Sequence, residues 1–74
     1  LMTYEHFIET EQPRELAAVY QASGYLAAPH DGYVNVYTAF DDGERLAVEE
    51  IAGSNGARYD GGGMFVAPTE IEVR

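Results

Sequence analysis

Two histidines, a triple glycine and a corner of carboxylates are the residues of this 74-residue chain whose types could do chemistry. His30 stands beside Asp31, and such a pair orients a general base or binds a metal. Neighbours in a turn point apart, however, and no serine has the setting of a nucleophile: Ser23 falls at a helix end and Ser54 in a Gly-Asn turn. His30 is expected exposed in a turn and His6 on a strand face. With no cysteine, thiol catalysis, disulfides and thiolate metal sites are excluded.

"RYDGGGMFV" raises the question of a phosphate cradle at Gly61, Gly62 and Gly63. A Walker loop ends in Gly-Lys-Ser/Thr, and the chain has no lysine. A dinucleotide fingerprint places its glycines between a strand and a helix, whereas these lie between two strand-like segments. Asp60 followed by glycines is hairpin chemistry, so the run is expected to turn the chain. Asp41, Asp42 and Glu44 surround Gly43 but lack the alternating ligands and the position-twelve Glu of a calcium loop. Helix capping accounts for them. No cofactor, metal or catalytic residue is assigned.

Charge is the strongest signal. Thirteen acids face four arginines (Arg14, Arg45, Arg58, Arg74), a net charge of −9. A phosphate backbone repels such a surface, which excludes nucleic acid and anionic membranes and favours a protein with a basic surface. The expected contact acids are Glu9, Glu11, Glu15, Asp41, Asp42, Glu44, Glu49 and Glu50, taken together as a continuous negative face. Six tyrosines exceed what a core this small buries with every hydroxyl bonded. Tyr33 and Tyr37, two apart on one strand face, are the first candidate anchors, and Tyr59 beside the glycines is the next.

These residues have to be positioned by one small domain, residues 1–74. "TYEHFIE" (3–9) alternates as a strand with Tyr4, His6 and Ile8 on one face, a helical turn being the competing reading. A helix follows, capped by Thr10, with Pro13 in its first turn, Leu16, Val19, Tyr20 and Ser23 on one face, and Gly24 as its stop. "PHDG" (29–32) marks a turn. "YVNVYTAF" (33–40) is apolar or aromatic on both faces, with Val34, Val36, Thr38 and Phe40 in one line, and is therefore a central strand. Residues 43–52 read as a helix capped by Asp41 or Asp42, with Ala47, Val48, Ile51 and Ala52 on one side and Gly53 ending it; a hairpin strand is the alternative. "ARYD", "GMFVA" and "EIEVR" read as short strands, the last a one-sided edge.

The fold expected is α+β, a small antiparallel sheet with one or two helices packed on one face. In size, charge and lack of catalytic machinery the chain resembles small acidic phage-encoded inhibitors of the anti-CRISPR kind, a resemblance that carries no motif and no functional residue. It implies a non-enzymatic protein-binding module that occupies a basic, nucleic-acid-binding surface of its partner. The alternatives are a small enzyme or ligand-binding domain using His30 and Asp31, and an accessory domain whose acidic surface only solubilises it. No apolar run is long enough for a membrane span and no signal peptide is visible. With Leu1 read as a cloning remnant ahead of Met2, a cytoplasmic location is expected.

Overall fold

β-branched and aromatic residues recur along Thr3–Glu9 (β1) and Tyr33–Ala39 (β3), and these segments form the centre of the sheet in the computed structural model, which describes residues 3–66. Between and after them come α1 (Pro13–Ala22), β2 (Leu26–His30), α2 (Asp42–Ser54) and β4 (Gly63–Val66). The strands lie in the order β2-β3-β1-β4, antiparallel throughout. This is the split βαβ, or ferredoxin-like, connectivity, an α+β fold.

Register follows from the alternation. His6 pairs with Val36 and Ile8 with Val34, so the even-numbered residues of both central strands share one face. Both helices cover that face, placing Leu16, Ala17, Tyr20, Val48 and Ala52 against Ile8, Val34 and Val36. The Tyr20 hydroxyl is buried with its ring and donates to the Val48 carbonyl at 2.7 Å, so this phenol ties α1 to α2.

β2 is not foreshadowed by its sequence. "LAAPH" has little β-branching, and it becomes a strand because β3 offers it a partner. Pro29 is tolerated because β2 is an edge strand. The expected turn at 29–32 therefore shrinks to Asp31 and Gly32, with Gly32 at φ +86°.

Both helices stop in the same way. The Tyr25 amide donates to the Tyr20 carbonyl and the Gly24 amide to that of Gln21; Ala57 and Gly56 repeat the pattern on Ala52 and Gly53. These are Schellman motifs, each with a glycine at positive φ. The second helix thus runs through Gly53 to Ser54, and its stop is Gly56. At the start of α1, Thr10 accepts from the Gln12 amide at 3.0 Å but does not cap the helix, because the chain takes an extra turn before Pro13. Asp41 does cap α2, accepting from the Glu44 amide at 2.8 Å. Asp41→Ala should cost about 1 kcal/mol. For a domain of this size thermal unfolding should register that as a midpoint lower by roughly 4–8 °C.

The glycine run has a different job from a hairpin turn. "ARYD" is no strand; Arg58 makes one antiparallel bridge to Glu9, and pairing resumes with Gly63 opposite His6. Residues 59–62 thus face only Phe7 and Ile8 of β1, an excess of two. The excess forms a bulge in the edge, held by Gly61 at φ +87° and by the Gly62 amide donating to Asp60 Oδ1 at 2.9 Å. The bulge turns Tyr59 inward, where its ring is buried. The reading of "EIEVR" as an edge strand falls outside the described residues.

Candidate protein-binding surface

Because both helices take the even-numbered face, the odd-numbered residues of β1 and β3 project from the other side of the sheet. Register sets Glu5 opposite Tyr37, Phe7 opposite Asn35 and Glu9 opposite Tyr33. Leu26, Ala28 and His30 of β2 flank them on one side, and Met64 of β4 on the other. Among the described residues no element packs over this face, and its one cation is Arg58, which lies opposite Glu9 at the end of the sheet. Tyr33 and Tyr37 lie on it together as expected, each half-buried. Phe7 approaches Tyr33 with ring centroids 6.0 Å apart, and the His30 ring stacks on Tyr33 at 4.8 Å and 15°.

Within this aromatic layer lies a recessed polar group. Glu5 and Asn35 are only 8% and 5% exposed. The Asn35 amide donates to Glu5 Oε2, and the Tyr37 hydroxyl donates to the same oxygen at 3.3 Å. Asn35 Oδ1 is buried with no hydrogen-bond partner among the described residues. Sequence reasoning places Asn35 on the right strand but misses this cluster, because only the register brings Glu5 beside it.

The structure separates the expected acids. Glu9 ends β1, with Glu11 and Glu15 just beyond, at the end of the sheet where Asp31 and Gly32 turn the chain. Asp41, Asp42 and Glu44 follow the last residue of β3, which pairs with Thr3 at the opposite end of β1, about 20 Å away. Glu49 and Glu50 are exposed midway along α2. The eight acids form two end patches and a helix flank instead of one continuous face. Two of them are paired: Glu9 accepts from Arg58 at 2.6 Å, and Asp42 lies 3.8 Å from Arg45. Both pairs are solvent-exposed and contribute little to stability.

Tyr59 is a core residue and cannot serve as an anchor. The bulge delivers its hydroxyl to His6 Nδ1, and the two rings meet edge to face. On the far side of the imidazole, Nε2 lies 2.7 Å from Thr38 Oγ1, whose hydroxyl donates to the Ala39 carbonyl at 2.8 Å. With Thr38 donating there, its oxygen accepts from Nε2–H, and Nδ1 accepts from the phenol. This bonding assigns a neutral imidazole. Burial, with the Arg45 charge adding to it, lowers the His6 pKa to about 4, and burial raises that of Tyr59 to about 12.

His30 and Asp31 share no hydrogen bond among the described residues; the imidazole is turned onto Tyr33. No three acids or histidines among the described residues gather as a metal cluster. No helix among them is long and apolar enough to cross a membrane. A second aromatic patch was not legible in the sequence. Phe40 leaves the line of Val34, Val36 and Thr38, because β3 ends at Ala39, and it is 61% exposed. It packs at 4.8 Å on both Tyr4 and Phe65, beside the acidic start of α2. Its position just before an Asp-Asp helix cap is the signal that marks it as leaving the strand. Searches of protein-family models, curated proteins and solved structures return no match to the chain.

Proposed function

We propose that this chain is a non-enzymatic, acidic protein-binding module that docks the open face of its sheet on a basic surface of a partner, a surface of the kind that holds nucleic acid. A phage-type inhibitor, similar to anti-CRISPR proteins, is the form this takes. The observation that carries the reading is the open face itself, where Phe7, Tyr33 and Tyr37 are interleaved with Glu5 and Glu9, and where the face's one cation among the described residues, Arg58, is paired with Glu9 at the end of the sheet. Aromatic rings anchor interfaces, and carboxylates around them steer a basic partner and repel polyanions. The connectivity alone supports no function, since many unrelated activities share it.

The test is capture of a partner from lysate, followed by competition. Added chain should displace the nucleic acid that the captured protein holds. Affinity should fall steeply as the screening length shrinks from about 10 Å at 0.1 M salt to about 3 Å at 1 M. Tyr33→Ala or Tyr37→Ala should cost about 2 kcal/mol of binding, whereas Glu11→Gln at the sheet end should slow association with a smaller loss. Affinity that is flat in salt, or micromolar binding of DNA by the chain itself at physiological salt, would refute the proposal.

A further inference from the structure

The geometry points to a specific seat on the open face: Glu5 and Asn35, framed by Phe7 and Tyr37, accept the guanidinium of an arginine side chain. The seat rests on the proposed binding role and names the group that the face recognises.

Four residues make it, in two directly opposed pairs, Glu5 with Tyr37 and Phe7 with Asn35. Glu5 is a buried carboxylate with no cation beside it, since the ion pairs among the described residues use Asp42 and Glu9. Its Oε2 accepts from Asn35 and Tyr37, while Oε1 makes no hydrogen bond among the described residues. Asn35 spends its amide on that carboxylate and keeps Oδ1 buried and, among the described residues, unpartnered. A buried acceptor without a donor is costly, and so is a buried carboxylate without a counter-charge. One ligand relieves both. A guanidinium presents several N–H donors in a rigid plane, so it reaches two neighbouring acceptors at once while its faces lie against aromatic rings. An ammonium has neither the plane nor the fork. Tyr37 flanks the seat, and its hydroxyl makes only long contacts there, donating to Glu5 Oε2 at 3.3 Å and accepting from the Asn35 amide at 3.4 Å.

N-acetyl-arginine amide, titrated into the full chain and followed by NMR, tests this. Binding should saturate with a Kd on the order of 1 mM, as expected for one small cationic fragment. The largest shifts should fall on the Asn35 side-chain amide, Glu5 and Tyr37. N-acetyl-citrulline amide, which has the same shape without the charge, should bind at least tenfold more weakly. Glu5→Gln should weaken arginine amide by a similar factor. Equal response to citrulline overturns the seat, as do shifts confined to Glu11, Glu15 and the α2 acids. These readings use the unaltered protein, so they decide the matter even if Glu5→Gln fails to fold. A chain that binds arginine amide here but captures no basic protein keeps the seat and loses the proposed function. Salt-sensitive capture without the arginine shifts removes the seat alone.

Discussion

Acidification from pH 7 to pH 4 should cost this protein roughly 3 kcal/mol through His6 alone. The imidazole is 2% exposed and fully bonded in its neutral form between Tyr59 and Thr38. Its pKa falls from the ordinary 6.5 to about 4, first because burial penalises the charged ring and then because Arg45 is near. Below pH 6.5 the unfolded chain binds a proton that the native chain refuses. The stabilisation is therefore complete above about 6.5, declines as pH falls, and is gone below about 4. For a domain of this size such a term is a large share of the total stability. Urea unfolding at a series of pH values should show a limiting slope of about 1.4 kcal/mol per pH unit in this window. Carboxylates contribute at the acid end, so the measurement is the difference from His6→Asn, whose curve should be flatter by about one proton. Parallel curves for the two proteins would rule out the buried neutral imidazole.

Gly63→Ala should destabilise by about 3 kcal/mol, the upper part of the range for overpacking. A Cβ at this position runs into the Glu5 carbonyl oxygen and the Tyr4 ring, and the carbonyl belongs to the central strand and cannot give way. β4 would have to lift from β1, undoing the pairing that ends the bulge. The adjacent glycines calibrate the effect. At Gly62 the nearest atom to a Cβ is Asp60 Oδ1 at 3.1 Å, the end of a movable side chain, so Gly62→Ala should cost much less. Gly61, at φ +87° in open space, should cost roughly 1 kcal/mol from backbone strain. Equal losses at all three positions in denaturant unfolding would show that the run is merely a flexible turn. Nucleotide-induced shifts at these glycines would reopen the phosphate question.

What could be read from the sequence was whatever depends on a residue and its near neighbours. Alternation gave the faces of β1, apolar residues on both sides made β3 central, and apolar stripes gave both helices, although α2 runs past the expected stop at Gly53 to end at Gly56. What could not be read depends on a partner far along the chain. β2 is a strand only because β3 lies beside it. The extra residues at 59–62 count as a bulge only against β1, and without the bulge Tyr59 looks like a surface ring beside a turn. His6 meets Tyr59, and Glu5 meets Asn35, across separations that no periodicity encodes. The candidate site shows the same division: Tyr33 and Tyr37 share a face by local geometry, whereas the Glu5 and Asn35 cluster needs the register of two strands. Net charge identified the acids but not their arrangement, which the opposite starting points of α1 and α2 decide.

The strand order also constrains how the chain reaches this state. β1 precedes the other described elements, yet its two neighbours in the sheet are the fourth and the sixth of them. Until Tyr33–Ala39 exists, β1 has no neighbour, and its second edge waits for the residues around Phe65. A fragment ending at Gly32 would own a helix and two strands that do not touch one another. Both closures join ends far apart in the chain, and their entropy is lost before any contact is gained. Folding should consequently be slower than for a helical bundle of equal length, in the millisecond range or beyond. It should also be all-or-none, with α1 unable to persist on its own, because the sheet surface that α1 covers is not assembled until Tyr33–Ala39 has joined β1 and β2.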